Sequence, residues 1–158
     1  MFLQRTELFA KGMVLIQDRH SQKVVRKLDV LPGMQVLDAC AAPGTKTQQI
    51  ACLMKNQGKI IATDLYEARC NLIDELMNRT GVSIVCAKQN DATITGKFPK
   101  ESFDRILIDA PCSGLGDLSH KPEIRWHLEP TSIDELVQTQ EAILDASAEY
   151  LRVGGILV

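Results

Sequence analysis

Short aliphatic runs alternate with amphipathic segments along this chain, and that rhythm restricts the fold more than any other feature. Residues 35–40, 59–64, 83–88 and 103–110 are β-branched or aliphatic stretches, each breaking at Asp, Gly or Pro. Between the first two, residues 45–56 read as a helix closed by Gly58. After Asp64 a second helix places Leu65, Leu72, Ile73, Leu76 and Met77 on one face and stops at Gly81. Residues 91–100 are too turn-rich for more than a turn or two of helix. The longest helix is expected from near Thr131, where Ser132 and Glu135 have capping-box spacing. Ile133, Leu136, Val137, Ile143, Leu144 and Leu151 form its expected buried stripe. Gly154-Gly155 should end it, and Ile156-Leu157-Val158 opens a fifth strand. A further helix over residues 21–28 precedes the Pro32-Gly33 turn. Strand–helix alternation of this kind specifies an α/β fold, a parallel sheet with helices on both faces. Residues 1–30 then form a lead-in segment with a helix, and residues 31–158 the core.

The chain has 158 residues, enough for one domain with a real core. Its formal net charge of −2 does not favour nucleic acid, which is held through a basic surface. An RNA substrate would need a local patch or another part of the protein. Cysteines 40, 52, 70, 86 and 112 lack the spacing of a zinc site or a disulfide framework. Most are expected to fill the core, and only Cys112 has a context that asks for more. The histidines at 20, 120 and 127 are scattered, so no metal is expected. With neither a signal peptide nor an apolar run near the roughly 18 residues a membrane helix needs, the expectation is a cytoplasmic protein with no membrane contact.

In a doubly wound sheet, ligands sit beyond the carboxyl ends of the strands. Asp38 and Cys40 follow the first strand, Asp64 the second, Asp91 the third and Asp109 the fourth. One Asp can simply terminate a strand, but four at successive strand ends suggest a crevice. Four carboxylates would repel a pyrophosphate and suit a ligand carrying a sulfonium, an ammonium and a ribose diol. S-adenosyl-L-methionine has all three. Asp64 lies where an acid accepts hydrogen bonds from a ribose, roughly 20 residues past the first turn. That turn, Cys40-Ala41-Ala42-Pro43-Gly44-Thr45-Lys46, runs into a helix N-terminus whose free N–H groups favour the methionine carboxylate. The G-x-G-x-x-G fingerprint is absent, and a Walker loop ending at Lys46-Thr47 would need glycine at 40 and 45.

Asp109-Ala110-Pro111-Cys112-Ser113 follows the fourth strand. Enzymes that methylate amino groups have a similar site with an aromatic after the proline, which stacks the base. Here a cysteine stands in that place. Carbon-5 of a pyrimidine is a poor nucleophile, so its methylation needs a thiolate to add at carbon-6. A base must then remove the carbon-5 proton before the thiolate leaves. The other reading of Cys112 is a structural cysteine in a turn.

Four segments now point to a family. Cys40-Ala-Ala-Pro-Gly-Thr-Lys-Thr47, Asp109-Ala-Pro-Cys-Ser-Gly114, Lys121-Pro-Glu-Ile-Arg-Trp126 and Gln17-Asp-Arg-His-Ser-Gln22 together resemble the Sun/Fmu (RsmB-like) family. These are rRNA cytosine-carbon-5 methyltransferases of the small subunit, within the Nol/Nop/Sun group. The resemblance covers nearly the whole chain. It implies a Rossmann-like class I methyltransferase fold, cut short after strand five, and small-subunit rRNA as partner. It also implies that Cys40, Ala41, Ala42, Pro43, Gly44, Thr45 and Lys46 hold the methionine end of the cofactor and Asp64 the ribose. Asp91 should lie beside the adenine, and Asp109 should meet both cofactor and target cytosine. Cys112 is implied to release the product, the nucleophile being a cysteine of a Thr-Cys motif just after strand five. The chain has no Thr-Cys pair, so it is expected to be an inactive catalytic-domain segment whose last strand seeks a partner, favouring self-association. Thr45 stands where the family has glycine, which should crowd the loop.

Trp126, with Lys121 and Arg125, either stacks and grips RNA or anchors its long loop. The alternatives to an RNA enzyme are a DNA cytosine-carbon-5 methyltransferase, with Cys112 as nucleophile, and a non-catalytic cofactor- or RNA-binding segment.

Overall fold

The computed structural model describes residues 2–118, 122, 126 and 130–158. Strands β1 (Gln35–Asp38), β2 (Lys59–Asp64), β3 (Val85–Gln89), β4 (Phe103–Leu107) and β5 (Leu151–Leu157) form one sheet. Its order is β3-β2-β1-β4-β5 and every pairing is parallel. The helices are α1 (Glu7–Ala10), α2 (Arg19–Lys27), α3 (Thr45–Leu53), α4 (Glu67–Thr80) and α5 (Pro130–Ala148). The chain steps from β1 outward to β3, then returns to the other side of β1 for β4 and β5. That reversal opens a crevice beyond the carboxyl ends of β1 and β4, where open α/β sheets bind ligands.

Period-two alternation supplies both faces of the sheet. Val36 and Ile60 point into one core with Val25 and Leu28 from α2 and its C-cap, and with Ile50, Ala51 and Met54 from α3 and its C-cap. Leu37, Ile61 and Ile106 point the other way, against Phe103 and Tyr150. Each fully buried aliphatic side chain contributes about 1.5–3 kcal/mol. Asp18 caps α2, its Oδ1 accepting the N–H groups of His20 at 2.7 Å and Ser21 at 3.2 Å. At the amino ends of the strands, Asp104 accepts the Gln35 N–H at 2.7 Å and pairs with Arg152 at 2.6 Å, tying β1, β4 and β5 together.

Four expectations are corrected. The long helix starts with Pro130 in its first turn, a position that tolerates proline because no N–H is needed there. Ser132 is therefore inside the helix and no capping box forms. The expected stripe is rotated: Ile133, Val137 and Leu144 are exposed, while Ile143, Ala146 and Ser147 are buried. Gly154-Gly155 lies within β5, not at a helix end, and Leu151 opens that strand. Phe103 pairs with Leu151 but Arg105 with Ile156, so the glycines fall in a bulge, with Gly154 at φ 78°. On α4 the buried set is Cys70, Ile73, Leu76 and Met77, and Leu65 and Leu72 are exposed. None of the described helices is long and apolar enough to cross a membrane.

The two turn glycines differ in a testable way. Gly33 has φ 92° and open space where a Cβ would stand, whereas Gly58 has φ 113° and a Cβ there would sit 2.5 Å from the Met34 carbonyl oxygen. Gly33→Ala should cost about 1–2 kcal/mol, the left-handed penalty alone. Gly58→Ala should cost at least about 1 kcal/mol more through overpacking. Urea unfolding of both variants checks this, and equal losses would contradict it.

Candidate functional site

The first turn is strapped to its neighbours by backbone bonds. The Ala39 N–H donates to the Leu107 carbonyl at 2.9 Å, and the Ala41 N–H to that of Thr63 at 2.8 Å. The Thr63 hydroxyl donates to the Ala39 carbonyl at 2.9 Å. Gly44 turns the chain into α3 at φ 99°, a conformation that an L side chain adopts only with strain. Thr45 is the first residue of α3. The first N–H groups of α3 lack intrahelical acceptors and face the crevice end of the sheet.

Asp38 is buried beneath this turn, with the Thr47 hydroxyl donating to Oδ2 at 2.7 Å. Its Oδ1 is buried with no partner among the described residues. Burial pushes the carboxyl up to about 7; the Thr47 hydrogen bond opposes this, Asp109 and Asp64 reinforce it, and Lys46 moderates it. Asp64 is equally buried but well supplied. It accepts the Ala42 N–H on Oδ2 at 3.3 Å and the Tyr66 N–H on Oδ1 at 3.4 Å. Arg69 pairs with Oδ1 at 3.2 Å and donates its other nitrogen to the Ala42 carbonyl at 3.1 Å. Lys46 pairs with Asp109 at 2.6 Å, the lysine side chain 17% exposed and the aspartate 53%. Asp91 takes the Thr93 hydroxyl at 2.6 Å and N–H at 3.0 Å, which hold it below the ordinary carboxylate range.

A cavity of about 410 Å³ opens among these groups, lined by Cys40, Asp64, Leu65, Tyr66, Arg69, Asp91, Thr93, Pro111, Thr139 and Ile143, among others. Cys40, Asp64 and Asp91 thus share one wall, and Lys46 and Asp109 pair with each other. Pro43 and Thr45 instead face a shallower hollow of about 330 Å³ beside Glu75 and Arg79 of α4. Cys112 is exposed, next to the cavity-lining Pro111. The Gln140 amide donates to the Pro111 carbonyl at 2.7 Å and fixes that turn to α5.

Burial, with Asp38, Asp64 and Asp109 nearby, pushes the Cys40 thiol up to about 12, so it stays protonated. Cys70 is buried, but Cys52 and Cys86 are exposed, so those two are not core filler. Trp126 is 80% exposed. Its companions Lys121 and Arg125, and the histidines at 120 and 127, lie outside the described residues. Arg69, Thr93, Thr139 and Gln140 join the site without a distinguishing motif in the sequence. The one available signal is the position of Arg69, one turn into the helix after Asp64.

The raised Asp38 carboxyl makes a prediction with a defined sign. The folded protein holds this proton above the unfolded value of 3.8, so its stabilising contribution is complete below about pH 4 and is lost as pH rises through about 7. Asp38→Asn keeps an acceptor for Thr47 without the charge. Its stability relative to the native chain should grow across that window by as much as a few kcal/mol. Urea titrations from pH 4 to 8 check this, and parallel curves would contradict it.

The model of the family described as 16S rRNA methyltransferase RsmB/F matches residues 25–158. The chain is 44% identical over 97% of its length to a probable ribosomal RNA small subunit methyltransferase B of Bacillus subtilis, covering 34% of that protein. It is 41% identical over 99% of its length to a ribosomal RNA small subunit methyltransferase F of Aeromonas hydrophila, again covering 34%. The crystal structure of NSun6 from Pyrococcus horikoshii with SFG superposes with a TM-score of 0.90 at 33% identity, over 99% of this chain and 40% of that one. The chain spans about a third of the length of the curated relatives it matches.

Proposed function

The chain belongs to the 16S rRNA methyltransferase RsmB/F family, and we propose that it forms the S-adenosylmethionine-binding part of an enzyme that methylates carbon-5 of cytosine in small-subunit rRNA. The observation that carries this reading is one cavity with Asp64 and Asp91 in its wall and the Pro111-Cys112 turn at its edge. Its volume is that of a small-molecule site. The apolar side chains of Leu65, Ala92 and Ile143 suit an adenine, and the Asp64 carboxylate suits the ribose hydroxyls. Asp38 lies buried beneath the turn, its Oδ1 without a partner among the described residues. The residues therefore fit this cofactor.

S-adenosylmethionine, when bound, supplies an electrophilic methyl group on a sulfonium. Asp64 and Asp91 would hold its adenosine end, while Cys40 and the α3 N-terminus would receive the methionine. Lys46 and Asp109, paired at 2.6 Å, offer a donor and an acceptor to the polar edge of a cytosine placed over the turn. Carbon-5 becomes nucleophilic once a thiolate adds at carbon-6. Once carbon-5 carries the methyl group, its proton passes to a base, the C5–H electron pair re-forms the carbon-5–carbon-6 double bond, and the thiolate leaves carbon-6. Cys112 is assigned to this release step. Attack at carbon-6 falls to the cysteine of a Thr-Cys pair, and no such pair occurs in residues 1–158.

Two measurements test the reading. Titration calorimetry should show one S-adenosylmethionine per chain, and Asp64→Ala should weaken binding by about 1.5–3 kcal/mol, the worth of a hydrogen bond to a charged group. No heat, or an unchanged affinity in the variant, would contradict the cofactor assignment. Labelled methyl transfer to small-subunit rRNA should require a form extended through a Thr-Cys motif. In that form Cys112→Ala should leave RNA covalently attached to protein. Turnover by the 158-residue chain itself, abolished by Cys112→Ala, would instead make Cys112 the nucleophile.

A further inference from the structure

The net charge of −2 leaves open how such a chain would meet a polyanion, and α2 supplies an answer. Arg19, Lys23, Arg26 and Lys27 are all exposed. Their spacing of i, i+4, i+7 and i+8 puts them on one helical face. Val25 and the C-cap Leu28 are fully buried on the opposite face, so the helix cannot turn its cations inward. No acid occurs within Arg19–Lys27. The two nearest, Asp18 and Asp29, flank the helix ends, and Asp18 is committed as the N-cap. The stripe runs about 12 Å at ~1.5 Å per residue.

The stripe is also coupled to the candidate site. The Gln17 amide donates to Gln49 Oε1 at 2.9 Å, the Gln49 amide to the Gln22 carbonyl at 3.0 Å, and the Gln22 amide to the Gln17 carbonyl at 3.3 Å. This amide ladder fastens the start of α2 to α3. Gln49 lies one helical turn after Lys46, which pairs with Asp109. We propose that the Arg19–Lys23–Arg26–Lys27 face of α2 is a phosphate-binding track that leads the RNA backbone toward the Lys46–Asp109 end of the crevice. The inference rests on the reading of RNA as substrate. Phosphate contacts of this kind position a strand without reading its sequence.

The test is fluorescence anisotropy with a labelled single-stranded oligoribonucleotide across a potassium chloride series. The variant R19Q/K23Q/R26Q/K27Q is compared with K55Q/K88Q/K97Q/K100Q, which removes the same number of charges from elsewhere on the surface. The α2 variant should lose about tenfold in affinity at low salt. Its log–log salt slope should fall by about 3, close to 0.7 per lost phosphate contact. The control should change far less, and S-adenosylmethionine binding should be unchanged in both. If the fourfold variant unfolds, K23Q and R26Q singly should each lower the slope by about 0.7. Equal effects of the two fourfold variants would overturn the track while leaving RNA as the substrate. Absence of salt-dependent RNA binding by the native chain would overturn both.

Discussion

The carboxylate of Asp64 ties together three elements that would otherwise be independent. It ends β2, accepts the Ala42 N–H of the turn after β1, and pairs with Arg69 of α4. Arg69 closes the knot by donating to the Ala42 carbonyl. A buried carboxylate without such partners would be strongly destabilising. Held this way, it fixes the turn against the second strand while one side of it still borders the cavity. The geometry of the whole crevice follows from that knot, because the turn carries Cys40 and feeds directly into α3.

The crevice's four aspartates do not act as four equal charges. Asp38 is buried and held protonated to near neutrality, and Asp109 is matched by Lys46. Asp64 shares its charge with Arg69. Asp91 keeps its charge through hydrogen bonds from Thr93. The result is a graded negative potential, suited to a singly cationic ligand with a polar ribose. Cys40, in the same field, remains a thiol. Cys112 is exposed, beside the cavity-lining Pro111.

The sheet is legible in the sequence because its strands are short aliphatic runs, and the strand-end aspartates follow from the same pattern. β2 matches its hydrophobic run to the residue, while β1 and β4 end sooner than theirs. The long helix departs from its pattern for a physical reason. Its inner face carries Thr139 and Gln140, since this face lines the cavity and holds the Pro111 carbonyl. A purely apolar stripe therefore points the wrong way. Leu65 departs for a related reason: it stays exposed as part of the cavity wall. Arg69 and Thr47 are hidden because partnership with a buried carboxylate depends on tertiary geometry and leaves no periodic trace in sequence.

The central claim is that the cavity at the carboxyl ends of β1, β2, β3 and β4, beside α5, receives the adenosine of the methyl donor. A crystal structure of the chain grown with S-adenosylmethionine tests it most directly. The account predicts ribose hydroxyls on the Asp64 carboxylate, adenine between Leu65 and Ile143 beside Asp91, and the methionine end over Asp38 at the α3 N-terminus. A ligand seated in the hollow beside Glu75 and Arg79, or an adenosine remote from Asp64, would contradict it.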